Sequence, residues 1–276
     1  MKDVDVLIVN YRTPELTIRA ATSVLSPRAR VLIFDNSGDI GAVAGAEIEH
    51  ENGKNILYAR ANNRLFRDSE APIVLLLNPD VILSSRQLDV LIGRLQSDPQ
   101  LWGVAPAFVT PEGIPQNYLR RLPTLAGLLA DRIPPLRLIL PGAYRRYYCR
   151  DVDLSKETTC EQPAAACLLL RRSLVRGDLF DEGYPLFFND TDLARRLNEL
   201  GSCLYVPSVV AVHQGGASVD RVRDDHRSWV RRTYDDALLR YARANVRGGA
   251  LLWPIVLLRR LGARRPTAPA GTVSGQ

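Results

Sequence analysis

Residues 73 to 80, IVLLLNPD, constrain this chain more than any other stretch. Five consecutive apolar residues, Ile73 to Leu77, leave no polar face for water, so the run suits a strand covered on both sides in a parallel sheet. It stops abruptly at Asn78, Pro79 and Asp80. Proline has no N–H to donate and ends the ladder, and Val81-Ile82-Leu83 then re-enters apolar structure, so Asp80 is held on a short rigid bend. Such sheets bind ligands beyond the carboxyl ends of their strands, where a rigid carboxylate suits a metal-bound phosphate. Asn, Pro and Asp are equally ordinary turn residues, and the other strand ends must decide.

They repeat the pattern. VDVLIV at 4 to 9 is a first strand, followed by helical spacing from Pro14 to Val24, and VLIFDNS at 31 to 37 is a second strand ending in Asp35-Asn36-Ser37. The segment 56 to 66 continues the alternation, and a helix is predicted over Ser85 to Ser97 with Ser84 or Ser85 as its cap. Strands alternating with helices predict an α/β fold built on a mostly parallel, doubly wound sheet. Residues 107 to 160, rich in proline and arginine, read as loop and short helix. ACLLLRR at 166 to 172 is a further buried strand, and FFNDTDLARRLNELG at 187 to 201 a helix with an acidic start and a glycine cap. CLYVPSVVAVHQGGAS at 203 to 218 is a strand pair or a bent strand, broken at Pro207 and ending at His213. Asp224 to Asn245 is helical, LLWPIVLLRRLGARR is apolar and basic, and the last dozen or so residues have a disordered composition.

With 46% hydrophobic residues in 276, the chain has ample material for a core. Cys149, Cys160, Cys167 and Cys203 lack paired C-x-x-C spacing and read as reduced thiols, without zinc or a disulfide framework. The chain enters its first strand with no apolar leader, which predicts a cytoplasmic protein. No apolar run is long enough for a membrane span, the longest being Ala250 to Leu258. The net charge of +6 is concentrated around Arg120 to Arg150 and Arg221 to Arg265. No nucleic-acid-binding motif accompanies these basic regions, so anionic lipid or a phosphorylated substrate fits them better than nucleic acid.

Seven segments in order, IVNYRTPELTIRAATSV, FDNSGD, NILYARANNRL, LLLNPD, ACLLLRRSL, FDEGYPLFFNDTDLARRLNELG and VHQGGAS, give the chain its resemblance to the family 2 glycosyltransferases of GT-A type, in the rhamnosyltransferase-like branch. The resemblance covers about residues 4 to 245. It implies one GT-A (Rossmann-like) domain over 1–220, with a nucleotide-binding half at about 1–105 and an acceptor half at about 106–220. A C-terminal helical extension at 221–262 and a disordered tail at 263–276 follow.

By resemblance, Asn10, Tyr11 and Asp35 hold the nucleoside of a sugar nucleotide, with Asp35 accepting from a pyrimidine N3–H; a carboxylate accepts only, which favours uracil or thymine. Tyr11 has the alternative of an ordinary core tyrosine. Arg60, Asn62 and Asn63 match the segment bordering nucleoside and diphosphate, although Arg60 also reads as a solvated helix residue. Asp80 corresponds to the last carboxylate of a D-x-D-like motif that holds a divalent cation, Mg²⁺ or Mn²⁺, with Asn78 in its first position. His213 matches a histidine that completes the metal site and tilts it towards Mn²⁺; otherwise it is a strand-end histidine bonded to backbone. Asp190 matches the catalytic base, which takes the acceptor's proton in an inverting displacement. Asp192 either orients the acceptor or caps a helix from Leu193 to Leu200.

Three departures stand out. Asn189 replaces the usual glutamate before the base, Leu57 precedes Tyr58 where glycine is usual, and Pro163-Ala164-Ala165-Ala166 replaces a Ser-Gly-Ala loop. The donor implied is thymidine diphosphate rhamnose, then other thymidine or uridine diphosphate sugars, and the acceptor a hydroxyl, lipid-linked or free. The rivals are a nucleotidylyltransferase, which wants a glycine-rich basic loop where NYRTPE stands, and a non-catalytic nucleotide-sugar or membrane-surface binding protein, which has no use for Asp190. Leu251 to Arg265 either docks peripherally on an anionic membrane, with Arg259, Arg260, Arg264 and Arg265 facing lipid phosphates, or packs on the core or in a homodimer.

Overall fold

In the computed structural model, residues 2–51, 54–215 and 217–261 are described, those at 217–227 and 261 by backbone alone. The first part alternates as its apolar pattern dictates: β1 (Val4–Asn10), α1 (Pro14–Ser23), β2 (Ala29–Asp35), β3 (Ala46–His50), α2 (Tyr58–Asp68), β4 (Ile73–Leu77), β5 (Val81–Ile82) and α3 (Ser85–Ser97). Next come β6 (Leu101–Val109), β7 (Pro115–Gln116) and the short helices α4 (Leu125–Arg132), α5 (Leu136–Ile139) and α6 (Pro141–Tyr147). The chain then runs through β8 (Thr158–Cys160), β9 (Cys167–Arg171), α7 (Asn189–Asn198), β10 (Ser202–His213), α8 (Ala217–Asn245) and α9 (Leu252–Leu261).

The strands form one mostly parallel mixed sheet in the order β3-β2-β1-β4-β9-β6-β10-β5, with β7 beside β6 and β8 beside β10. β3, β2, β1 and β4 run parallel, β9 is antiparallel to both β4 and β6, and β10 is parallel to β6. The carboxyl ends of β1, β2, β4, β6 and β10 therefore share one edge. Every residue of β1 and β4 is buried, as a strand covered on both faces requires. Leu88, Leu91, Ile92 and Leu95 of α3 join α1 on one face, and Leu65 of α2 joins Leu193 and Leu197 of α7 on the other. Ser84 caps α3 in a reciprocal pair, Gln87 N–H to Ser84 Oγ at 3.3 Å and Ser84 N–H to Gln87 Oε1 at 2.9 Å.

Two features escape the sequence pattern. β6 is a central strand that carries Gly103 and Pro106, residues that ordinarily argue against one. A Cβ at Gly103 would sit 2.9 Å from the Leu169 carbonyl oxygen, and Pro106 lies where β10 bulges between Val206 and Val210, so each has a local reason. Gly201 does not cap α7 in a left-handed turn, because the helix closes at Glu199 with right-handed dihedrals. A Cβ there would instead lie 2.3 Å from the Gln100 carbonyl oxygen, so the glycine permits close chain approach.

A third apolar cluster joins Leu128 of α4, Leu238 and Tyr241 of α8, and Leu252 and Val256 of α9. Pro254 fits in the first turn of α9, where its missing N–H costs nothing. Arg259 and Arg260 fold back onto Asp235 (3.7 Å) and Asp236 (2.6 Å) of α8, correcting the expectation that both face lipid. Leu251, Trp253, Leu257 and Leu258 remain exposed. Arg264, Arg265 and the tail at 263–276 lie outside the described residues. All four cysteines are buried free thiols, and among the described residues no helix is long and apolar enough to cross a membrane.

Candidate active site

A cavity of about 430 Å³ opens at the shared edge of the sheet. Val9, Tyr11, Asn36 and Asn55 line one end, while Asn78, Pro79, Asp80, Tyr118, His213, Asn189 and Asp190 also line it. Ala164 to Ala166, immediately before β9, add small apolar surface.

The parallel register places Asn10 beside Asp35. Asn10 Nδ2 donates to Asp35 Oδ1 at 2.8 Å and to Asp39 Oδ1 at 2.7 Å, while its Oδ1 accepts from Thr13 and Thr17 of the α1 entry. Asp35 also accepts from Ser37 N–H and Ile40 N–H, each at 3.0 Å. Burial works to raise the Asp35 pKa, but the hydrogen bonds from Ile40, Asn10 and Ser37 outweigh it and hold the carboxyl below the usual range. Asp35 is 1% exposed and stands behind the cavity wall, fixing the loop that presents Asn36. Asn36 Oδ1 is taken by Ile56 N–H at 2.9 Å, so its amide NH₂ is what remains to offer a ligand.

The bend after β4 is pinned from two sides. Asn78 N–H donates to the Ala166 carbonyl at 2.8 Å, and Gln214 N–H donates to the Asp80 carbonyl at 2.9 Å. β5 returns antiparallel to the end of β10 with Val81 opposite His213, which brings His213 Nε2 to 3.6 Å from Asp80 Oδ2. That separation is long for a hydrogen bond, yet it suits two donors sharing one ion at about 2.1 Å each. His213 Nδ1 is buried and has no hydrogen-bond partner among the described residues. Desolvation lowers the His213 pKa against the opposing pull of Asp80, favouring the neutral imidazole that metal ligation needs. Tyr118 packs edgewise on that ring and Phe108 at a tilt, at centroid distances of 4.9 and 5.2 Å. An Asp–His pair fits a divalent cation whose other positions are filled by phosphate or water; among the described residues no group of three His, Cys, Asp or Glu could hold one alone.

α7 delivers Asp190. Phe188 caps the helix in the left-handed region (φ 63°), turning Asn189 and Asp190 to the cavity. Thr191 N–H donates to Asp190 Oδ1 at 2.7 Å, so that oxygen is held by the helix start. Asp190 keeps a partly exposed edge on the cavity, but desolvation by its surroundings raises its pKa, against hydrogen bonds from Thr191. Asn189 Oδ1 accepts from Asp190 N–H at 2.7 Å, and its buried Nδ2 has no partner among the described residues.

Other residues from the sequence reading stand outside the cavity wall. Arg60 Nε donates to Glu182 at 2.9 Å, Asn62 Nδ2 to the Tyr58 carbonyl at 2.9 Å, and Asn63 clamps both backbone groups of Phe180, at 2.8 and 2.9 Å. Arg60 and Asn63 fasten α2 to the segment before α7, and Asn62 bonds within α2. Asp192 neither caps a helix nor reaches the cavity; its buried carboxylate pairs with Arg195 (3.3 Å) and Arg196 (2.9 Å) one turn on. Conversely, Tyr58, Tyr118 and Phe187 line the cavity unannounced, since solitary aromatics carry no periodic signal. Tyr58 donates to Asn78 Oδ1 at 3.2 Å, and burial and Asp190 raise its pKa so that the phenol keeps its proton. Trp229 and Val230 bring α8 into the same wall against Tyr11 and Phe187, so the sequence boundary near 220 is crossed by the site.

No family model matches the chain. Its sequence is 28% identical over 224 residues to the N-acetylglucosaminyl-diphospho-decaprenol L-rhamnosyltransferase of Mycobacterium tuberculosis, covering 71% of this chain and 70% of that protein. Rhamnosyltransferase WbbL of Escherichia coli is 25% identical over 167 residues, 59% of each chain. Among solved structures, the mannosyltransferase PcManGT from Pyrobaculum calidifontis, in complex with GDP-Man and Mn²⁺, matches with a TM-score of 0.52 and 15% identity over 94% of this chain and 80% of its own. GalNAc-T7 with UDP, GalNAc and Mn²⁺ matches with a TM-score of 0.53 and 12% identity, over 77% of this chain and 44% of its own. These two matches speak to fold, and the rhamnosyltransferases to sequence. Together with the strand-end motifs, they make the chain similar to rhamnosyltransferases in sequence and to GT-A glycosyltransferases in fold.

Proposed function

We propose that the chain transfers rhamnose or a related sugar from a thymidine or uridine diphosphate donor to an acceptor hydroxyl, with inversion at the anomeric carbon. One observation carries the reading: the Asp80–His213 pair, 3.6 Å apart, and the desolvated Asp190 carboxylate line one cavity. The nucleoside occupies the end formed by Tyr11, Asn36 and Asn55, with Asn10 and Asp35 shaping the loop behind it. Asp80 and His213 hold a divalent cation, with Mn²⁺ favoured by the imidazole. When bound, that cation supplies positive charge against the departing diphosphate.

Asp190 Oδ2 takes the proton of the acceptor hydroxyl as the new bond from its oxygen to the anomeric carbon forms. The bond between that carbon and the β-phosphate oxygen breaks, and its electron pair leaves on the nucleoside diphosphate. A carboxyl held above its ordinary pKa is a better proton acceptor than a solvated one, while the surrounding desolvation keeps water out. Calorimetric titration of thymidine diphosphate rhamnose with Mn²⁺, with Mg²⁺ and with chelator tests the donor half; affinity independent of metal would overturn it.

A lipid-linked acceptor is supported by the outward face of α9, where Leu251, Trp253, Pro254, Leu257 and Leu258 are exposed with no charged residue among them. The mycobacterial relative is named for a decaprenol-linked acceptor. Full-length protein should co-sediment with anionic vesicles, and Leu251→Ser/Leu258→Ser should release it. Equal pelleting of both proteins, or self-association that the double substitution abolishes, would assign the face to a homodimer or leave it unused.

A further inference from the structure

Among the described residues, the non-glycine positions with positive φ are Arg12, Leu57, Cys149 and Phe188. Phe188, at φ 63° and ψ 1°, occupies the left-handed helical region, which side chains tolerate at modest cost. Leu57 is different. At φ 68° and ψ 169° it sits in a region almost reserved for glycine, and a branched aliphatic persists there only when its surroundings over-determine it. They do: Leu57 N–H donates to Asn55 Oδ1 at 2.9 Å, its carbonyl accepts from Ala61 N–H at 3.1 Å, and Ala59 N–H donates to the Pro185 carbonyl at 3.1 Å. Glycine would satisfy the same bonds without strain, so the backbone alone gives no reason for leucine.

The side chain does. Leu57 lines the cavity between Asn55, at the nucleoside end, and Tyr58, whose hydroxyl meets Asn78. The Ala59–Pro185 bond draws this wall against Leu186 and Phe187, which also line the cavity and lead directly into Asn189 and Asp190. Leu57, Leu186 and Phe187 thus form apolar wall between the nucleoside end and the base, the interval that the donor's sugar must cross.

We infer that Leu57 is a specificity-determining residue of the donor site, its side chain closing the wall to a hexose with a C6 hydroxyl and accepting one that ends in a methyl group. A hydroxymethyl group pressed on this surface loses its water without gaining a partner, whereas a methyl group gains burial. The assignment rests on the glycosyltransferase reading with a rhamnose-type donor and adds the residue that selects its C6 methyl group.

The probes are thymidine diphosphate L-rhamnose and thymidine diphosphate L-mannose, which differ by one oxygen at C6, titrated calorimetrically with Mn²⁺ into the full chain, Leu57→Ala and Leu57→Gly. The wild type should prefer the 6-deoxy donor by roughly 10²-fold, and both variants should lower that ratio by about tenfold or more, chiefly by gaining affinity for the hydroxylated donor. Leu57→Gly, released from the strained backbone, should melt no lower than Leu57→Ala, so lost preference is read without lost fold. An unchanged ratio in both variants, a ratio that falls in Leu57→Gly alone, or a wild type without preference overturns the assignment while leaving the glycosyltransferase reading in place. A wild type that binds neither donor overturns the donor reading, and this assignment with it.

Discussion

The two ends of the cavity treat their polar groups in opposite ways. At the nucleoside end, Asn10 and Asp35 bond to each other, to Ser37, Asp39 and Ile40, and to the start of α1. At the reaction end, His213 Nδ1 and Asn189 Nδ2 are buried without partners among the described residues, and Asp190 is held by desolvation above its ordinary pKa. The first end has used its hydrogen-bonding capacity within the fold, and the second retains some. One end is a frame that positions its neighbours, and the other is the end proposed to carry the chemistry.

The largest test of that contrast is Asp190→Asn. Transfer should fall by about two to four orders of magnitude while donor affinity stays near normal, because general-base loss affects chemistry alone. Stability should move the other way. A carboxyl whose folded pKa is raised costs stability above that pKa, and the cost vanishes below its unfolded value near 3.9, so the variant's Tm should exceed wild type at pH 7 and converge towards it in acid. Turnover near wild type at saturating acceptor would place the base elsewhere.

Asp80→Ala should weaken metal-supported donor binding by on the order of 10²-fold and remove its metal dependence, with the Tm little changed; calorimetry with and without Mn²⁺ reads both. Unchanged affinity would reduce Asp80 to a turn residue. At the frame end the balance reverses. Asp35→Asn turns one acceptor into a donor amid N–H groups and should cost about 1–3 kcal/mol of unfolding free energy. Because the folded pKa of Asp35 is depressed, its contribution is present above the unfolded value near 3.9 and lost as pH falls through the folded one. Wild type should therefore lose stability on acidification more steeply than Asp35→Asn, and a variant that folds as well as wild type but no longer binds thymidine diphosphate would put Asp35 in direct contact with the base. The smallest effect is expected for Tyr58→Phe, which loses one 3.2 Å bond to Asn78 and should weaken donor binding by about 0.5–1.5 kcal/mol.

The frame and the reactive end also differ in how far they could be read from residues. β4 and α3 begin and end where their apolar runs and the Ser84 cap place them, because those signals are local. Asp80, His213 and Asp190 meet at one cavity as the family motifs imply. Arg60, Asn62, Asn63 and Asp192 carry equally polar side chains in equally suggestive segments, yet they hold the scaffold together. For Arg60 and Asn63 the partners, Glu182 and Phe180, lie more than a hundred residues away, whereas Asn62 and Asp192 are held within their own helices by Tyr58 and Arg196.

By itself, the sequence determined the α/β alternation, the polar clusters that end the strands, and the presence of a carboxylate after the apolar run Ile73–Leu77. These follow from side-chain periodicity and from proline's missing donor, which act over a few residues. The tertiary structure decided the rest: the antiparallel β9 between β4 and β6, the acceptance of Gly103 and Pro106 in a central strand, and the return of β5 that sets Val81 opposite His213. It also brought Trp229 from α8 to the wall and held Leu57 in a glycine-like conformation. Each depends on atoms far apart in sequence meeting at close range, and local chemistry carries no record of such meetings.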